Sequence, residues 1–173
     1  MLRFTQFVLV LTLVVSGTAC GNADAPVVLP GPGEVTAPRG AVAALERLWP
    51  GAEPASAVAS CTAAEVAPVG ANGDFNGDGT ADVAMWADVD GSTRLVVVLT
   101  RIGGDYLAVP VETPEVAPAG TLEVGRRGTT YQLASLTVDS FYGLDTIVTR
   151  TCDGARTAWF WTGSRFDAQS LAN

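Results

Sequence analysis

Hydrophobic and polar residues alternate through much of the chain after residue 82, and this period of two predicts β-strands. Residues 83–88 form one alternating run, and the Asp-Gly turn within residues 88–92 connects it to a second run at 94–100. The middle of the second run, residues 95–99, is Leu-Val-Val-Val-Leu and lacks polar positions. We therefore expect a hairpin whose second strand is central and covered on both faces.

One segment before these strands has a helical period instead. Val42, Leu45 and Trp49 are spaced at i, i+3 and i+7, so they share one face of a helix. Pro38 suits the first helical turn, and Pro50 ends the segment. We expect this helix to cover one face of a sheet.

The remaining strands complete a fold prediction. The Gly-Arg-Arg-Gly turn at 125–128 predicts a hairpin between residues 121–124 and 129–138, and further strands follow toward the end of the chain. Residues 38–173 are predicted to form a single α+β domain. Its N-terminal helix is expected to pack on an antiparallel β-meander of about six or seven strands.

Two tryptophans near the end of the chain give a choice of roles. Trp159 and Trp161 lie on the same side of a predicted strand, with Phe160 on the other side. If they were exposed, the pair could stack on a sugar or a peptide, as in an inhibitor or ligand-binding protein. Large aromatic rings in a small domain are more often buried, so we favour the core.

A short polar stretch has the spacing of metal ligands. Residues 74–82 read Asp-Phe-Asn-Gly-Asp-Gly-Thr-Ala-Asp, with side-chain oxygens at positions one, three, five and nine and a glycine at six. A loop of this kind can wrap around Ca²⁺, which takes about six to eight oxygen ligands in irregular geometry. The predicted metal ligands are Asp74, Asn76, Asp78, the carbonyl of Thr80, and Asp82, the last directly or through water.

The loop type follows from what comes after it. An EF-hand would place a bidentate Glu at position twelve and a helix on each side, whereas Met85 stands there within a β-favouring run. Residues 73–84 resemble the calcium loops of FG-GAP and VCBS repeats, which lead directly into a strand. The motif occurs once, so a propeller of repeated blades is not expected. The alternative is a metal-free turn held by Asx hydrogen bonds; repulsion between converging carboxylates favours calcium.

The first residues are typical of an export signal. Arg3 precedes an apolar run from 4 to 15 and a group of small residues, so residues 1–19 are predicted to be a signal peptide. The sequence Ser16-Gly17-Thr18-Ala19-Cys20 resembles a bacterial lipobox, although Gly17 stands where Leu is usual. The resemblance implies lipidation of Cys20; ordinary cleavage after Ala19 is the alternative.

The cysteine count favours the lipoprotein. The chain has three cysteines. If Cys20 carries lipid, Cys61 and Cys152 remain and can form a disulfide outside the cytoplasm. Residues 20–37, rich in Gly, Pro and Ala, are predicted to be the lipidated cysteine and a flexible tether that lets the domain stand off the membrane. The alternative is an arm packed on the domain through Val27, Val28 and Leu29.

Charge and composition exclude several functions. The full chain has a formal net charge of −8, and removing Arg3 with the signal makes it −9. So acidic a chain argues against nucleic acid and against electrostatic docking on anionic lipid. There is no histidine, which excludes a Ser-His-Asp or Cys-His arrangement.

We therefore expect a non-catalytic, calcium-loop-bearing lipoprotein. It would be anchored to the bacterial cell membrane or outer membrane, with its domain extracytoplasmic and bound to another envelope protein or a glycan. The alternative from another class is a hydrolase using the metal or a carboxylate pair such as Asp139 and Asp145.

Overall fold

The computed structural model describes residues 25–59, 61, 67–111 and 120–172. Within these residues the chain forms one α-helix, α1 (Arg39–Leu48), and thirteen strands in four sheets. The strands are β1 (Val27–Leu29), β2 (Val35–Ala37), β3 (Glu53–Pro54), β4 (Gly70–Gly73), β5 (Asp82–Val89), β6 (Ser92–Thr100), β7 (Tyr106–Pro110), β8 (Gly120–Gly125), β9 (Thr130–Gln132), β10 (Asp139–Phe141), β11 (Thr146–Thr151), β12 (Arg156–Trp161) and β13 (Phe166–Leu171).

Two larger antiparallel sheets form the centre of the molecule. Sheet 1 has the order β3-β5-β6-β7, with β4 also paired to β5, and sheet 2 has the order β13-β12-β11-β8. Their inner faces share one buried cluster, in which Trp86 and Val97 of sheet 1 pack with Ile147 and Trp159 of sheet 2. The alternating apolar positions of both sheets therefore meet as a β-sandwich.

Each sheet has a second cover on its outer face. The helix α1 and the β1–β2 hairpin cover sheet 1, where Leu29 and Leu45 pack with Met85 and Val98. The β9–β10 hairpin covers sheet 2 through aromatic rings, and Tyr142 at its end stacks on Tyr131 with ring centroids 4.4 Å apart. The apolar middle of β6 is thus buried on both faces, as its sequence predicts.

The predicted fold class is wrong. The described chain is mostly β, and its strands divide into four sheets; a single meander of six or seven strands under an N-terminal helix is not formed. The predicted hairpin around residues 125–128 is also absent, because β8 pairs with β11 while β9 pairs with β10. Alternation shows which side of a strand is buried but not whether a helix or another sheet covers it, and this ambiguity produced the error.

The predicted tether requires a correction as well. Residues 27–37 form the antiparallel β1–β2 hairpin, in which Leu29 and Ala37 are fully buried. Arg39 Nε donates a hydrogen bond to the Ala25 carbonyl at 2.9 Å. The domain therefore begins before residue 38, in the manner of the packed-arm alternative, because the apolar side chains of this Pro- and Gly-rich segment find a sheet to cover.

The cysteine prediction is confirmed for the pair that the structure describes. Cys61 and Cys152 form a disulfide with their Cα atoms 5.1 Å apart and a sequence separation of 91. Closing so long a loop stabilises a fold by roughly 4–5 kcal/mol in the chain-entropy model. The signal peptide at 1–19 and Cys20 lie outside the described residues. Within the described part, no helix has the length and apolar character needed to cross a membrane.

Candidate metal centre

The candidate loop lies at one end of the sandwich. Residues 74–81 connect β4 to β5, and the pairing of Gly73 with Asp82 closes the loop at its base. Gly77 and Gly79 have φ angles of 77° and 85°, in the left-handed region that glycine adopts without a steric penalty. These two bends lie on either side of Asp78 and allow the chain to turn tightly there.

Hydrogen bonds within the loop hold those side chains in place. The amide of Asp78 donates to Asn76 Oδ1 at 3.0 Å, and the amide of Thr80 donates to Asp78 Oδ1 at 2.8 Å. The amide of Gly79 donates to Asp74 Oδ2 at 3.1 Å. These are the Asx-type bonds of a metal-free turn. These hydrogen bonds leave the carboxylate oxygens able to bind a cation as well, because each oxygen has two lone pairs and uses only one to accept an amide.

Asp82 is the anchor of the loop. Its side chain is fully buried, and it accepts the amide of Phe75 at 2.9 Å and the amide of Thr100 at 2.8 Å. Burial raises the pKa of Asp82 to about 6, although the amides of Thr100 and Phe75 act in the opposite direction. A nearby cation would favour the ionised form of this carboxyl and oppose the effect of burial.

Asp74 carries the observation that distinguishes the loop from an ordinary turn. Its Oδ1 atom is buried and has no hydrogen-bond partner, a condition shared among the described residues with only one other side-chain oxygen, the Tyr142 hydroxyl. A buried carboxylate oxygen without a partner is costly. A divalent cation bound here would supply the missing interaction.

The surrounding charges fit the same interpretation. Asp74, Asp78 and Asp82 lie within nine residues, and none of them forms a salt bridge with an arginine in the described part of the chain. Within that part, no three acidic or cysteine side chains are close enough to form a metal site by themselves. A cation here would therefore also need the Asn76 side chain and the Thr80 carbonyl, which are the neutral ligands predicted from the spacing.

The structure adds a participant that sequence reasoning missed as part of this site. Asp145, at the start of β11, accepts the amide of Asp74 at 3.2 Å and the amide of Arg127 at 3.0 Å, and it pairs with Arg126 at 2.9 Å. Burial acts to raise the pKa of Asp145, but these hydrogen bonds and the Arg126 charge together hold it below the ordinary value. Asp145 lies 71 residues from Asp74 in sequence, and no spacing rule connects the two.

Leu144 completes the contact between sheet 2 and the loop. A Cβ atom placed on Gly77 would lie 2.5 Å from the Leu144 side chain, so the two residues touch only because position 77 is glycine. The loop is thus fixed to sheet 1 by Asp82 and to sheet 2 by Leu144 and Asp145.

The other candidate sites have different surroundings. Asp139 receives a hydrogen bond from the Gln132 amide at 2.6 Å, while Asp145 belongs to the contact just described. Trp159 is buried in the sandwich core, and Trp161 is partly buried against Phe166, with ring centroids 5.0 Å apart. The core interpretation is therefore confirmed for Trp159, while Trp161 is half-buried and packs against the same cluster.

Comparisons of the chain with protein-family models, with characterised proteins and with solved structures find no match.

Proposed function

We propose that this chain is a non-catalytic, lipid-anchored extracytoplasmic domain with a structural calcium site at residues 74–82, acting as an interaction module for another envelope component. The observation that carries the calcium site is the buried, unpartnered Oδ1 atom of Asp74 in a loop of closely spaced acidic residues. Calcium would supply positive charge to that oxygen and to the neighbouring carboxylates.

Calcium would act structurally, because the loop contacts both sheets. Asp82 binds the Thr100 amide at the end of β6, and the Asp74 amide binds Asp145 at the start of β11. A cation held by Asp74, Asn76, Asp78 and the Thr80 carbonyl would order the loop and therefore both contacts. The stabilisation follows from binding to the folded state alone and increases with calcium concentration.

The proposed location is supported by two features of the chain. Residues 16–20 resemble a lipobox, and the two remaining cysteines form a disulfide, which is typical of proteins outside the cytoplasm. The envelope partner would be a protein or a glycan.

The direct test is thermal unfolding of the mature chain in millimolar calcium and in EDTA. At a calcium concentration about 100 times the dissociation constant, the stabilisation is about 2.7 kcal/mol. This corresponds to a rise of roughly 5–10 °C in Tm for a domain of this size. Asp78→Asn should abolish the rise, because it removes a charged ligand while keeping the side-chain shape.

Asp88→Asn is the matched control. Asp88 is an exposed acidic residue of β5, next to the β5–β6 turn at the opposite end of sheet 1, and its substitution makes the same change in charge. The calcium-dependent rise in Tm should survive in this variant. Equal Tm values in calcium and in EDTA for the unmodified chain would contradict the proposed site.

A further inference from the structure

Three turns meet at the end of the sandwich that carries the calcium loop. They are residues 74–81, residues 101–105 between β6 and β7, and residues 126–129 after β8; we call them together the loop end. Thr100, just before the second turn, donates its hydroxyl to the Ala81 carbonyl at 2.7 Å. Asp145 joins the first turn to the third, since it accepts the amides of Asp74 and Arg127.

The N-terminal part of the domain arrives at this same end. Asn72, next to the base of the calcium loop, donates its side-chain amide to the Thr36 carbonyl at 3.2 Å. Gly40 lies against the Tyr106 ring, beside the second turn. Ala25 is held there through its carbonyl, which accepts the hydrogen bond from Arg39. The first described residue is therefore fixed near the loop end.

This arrangement limits how far the domain can be from a lipid on Cys20. Ala25 is the fifth residue after Cys20, and five residue steps span at most about 18 Å even when fully extended. The predicted tether was long enough to hold the domain clear of the bilayer. With residues 27–37 folded into the domain, an acylated Cys20 keeps the loop end beside the headgroups.

The exposed side chains of the loop end suit that environment. Ile102, at the tip of the second turn, is 93% exposed and is the most exposed of the large hydrophobic residues described. Arg101 and Arg127 are exposed and form no salt bridge with any described residue. An apolar tip next to Arg101, with Arg127 on another turn of the same end, is a composition that suits a membrane interface.

The acidic residues of the loop end do not cancel this character when calcium is bound. Asp82 is buried and Asp145 is paired with Arg126. Calcium would offset the charges of Asp74 and Asp78. The exposed Asp105 lies at the base of the Ile102 turn, where it accepts the amide of Tyr106 at 2.8 Å. With calcium bound, the aspartates of the loop end are balanced by its three arginines and the ion, so this surface lacks the net negative charge of the whole chain.

We propose that the loop end lies against anionic phospholipid headgroups of the membrane that holds Cys20. Ile102 inserts at the boundary with the acyl chains, while Arg101 and Arg127 contact phosphates. This inference rests on the lipid anchor and calcium loop of the proposed function.

The test places an environment-sensitive fluorophore at either end of the anchored protein. The full mature chain, acylated at Cys20, is reconstituted in vesicles of phosphatidylcholine or of phosphatidylcholine mixed with phosphatidylglycerol. The label is attached to Ile102→Cys or, as a control, to Ser92→Cys at the exposed first position of β6, at the opposite end of sheet 1. In mixed vesicles with calcium, the label at 102 should shift to the blue and be quenched by nitroxide-labelled lipid, while the label at 92 remains in water.

Charge variants test the arginines separately. Arg101→Gln and Arg127→Gln should each reduce the equilibrium constant for lipid contact about fivefold, with a loss that is smaller at high salt. Arg150→Gln makes the same charge change at an exposed position of β11, far from the loop end, and should have little effect. Equal effects of all three variants would overturn the assignment of Arg101 and Arg127.

The remaining outcomes separate this inference from the proposed function. In one outcome, the chains float with the vesicles and have a higher Tm in calcium, but the label at 102 stays as exposed to water as the label at 92. This outcome overturns the inference and leaves the proposed function intact. Chains that do not float with the vesicles contradict the lipid anchor, and the inference fails with it. In the last outcome, the label at 102 is embedded in lipid but the Tm of the chain does not change with calcium. This outcome supports the docking and contradicts the calcium site.

Discussion

The candidate calcium loop (residues 74–82) and the end of the β5–β6 hairpin (residues 88–92) have similar compositions and very different surroundings. Both contain closely spaced Asp residues beside glycine with positive φ. At the end of the β5–β6 hairpin, Asp88 of β5 is exposed and accepts the hydroxyl of its cross-strand neighbour Thr93 at 2.9 Å, as expected of a solvated hairpin end. In the loop, Asp82 is fully buried and Asp74 has a buried oxygen without a partner. The comparison teaches that burial, and not Asp and Gly content, marks a candidate cation site.

The largest expected difference between the two regions concerns Asp82. Asp82→Ala removes the acceptor of two backbone amides, those of Phe75 and Thr100, and leaves both without a protein partner. Each such loss costs about 1–3 kcal/mol, so we expect a loss of about 4 kcal/mol in the free energy of unfolding, measured by urea denaturation. Asp88→Ala should cost less than about 1 kcal/mol. Similar losses in the two variants would contradict the comparison.

The next largest expected effect is that the free energy of unfolding depends on pH in the absence of calcium. Burial raises the pKa of Asp82 from 3.8 to about 6, so the folded state binds a proton more tightly than the unfolded state. The corresponding stability is fully present below about pH 4 and is lost as the pH rises through 6, a change of about 2–3 kcal/mol. Unfolding in EDTA at pH 4 to 7 measures this slope.

Asp82→Asn is the control for that slope, because it removes the titrating group while keeping the shape of the side chain. The acidic groups whose pKa is lowered, Asp78, Asp145 and Asp153, titrate below this range, so they leave the slope between pH 4 and 7 largely unchanged. If the dependence of stability on pH persists in Asp82→Asn, another titrating group is responsible for it.

A smaller effect is expected from the contact between the sheets. Asp145→Asn weakens the charged acceptor of the Asp74 and Arg127 amides and removes the salt bridge with Arg126. Since the pair is partly exposed, we expect a loss of about 1–2 kcal/mol, together with weaker calcium binding measured by titration calorimetry. Asp153→Asn, in the exposed turn after β11, should leave calcium binding unchanged. Unaltered calcium affinity in Asp145→Asn would show that sheet 2 does not support the loop.

Features that depend on a few neighbouring residues could be predicted from the sequence, whereas features that depend on residues far apart in the chain could not. The β5–β6 hairpin, the buried middle of β6 and the loop at 74–82 were predictable, because alternation and turn residues act over a few positions. The disulfide followed from the number of cysteines. The contact of Asp145 with Asp74, and the covering of each sheet, depend on residues far apart in sequence. Periodicity contains no information about such pairings.

The smallest and sharpest comparison uses two glycines in equivalent conformations. Gly79 in the loop and Gly91 in the β5–β6 turn have φ angles of 85° and 78°, and a Cβ atom at either position would meet no other atom within 4 Å. Alanine should therefore cost about 1 kcal/mol at each site in EDTA, from backbone strain alone. In calcium, Gly79→Ala should cost more than Gly91→Ala, because the strained bend must also place Asp78 and Thr80 around the ion. If the two substitutions reduce the free energy of unfolding equally in calcium, the loop at 74–82 is an ordinary turn like the β5–β6 turn.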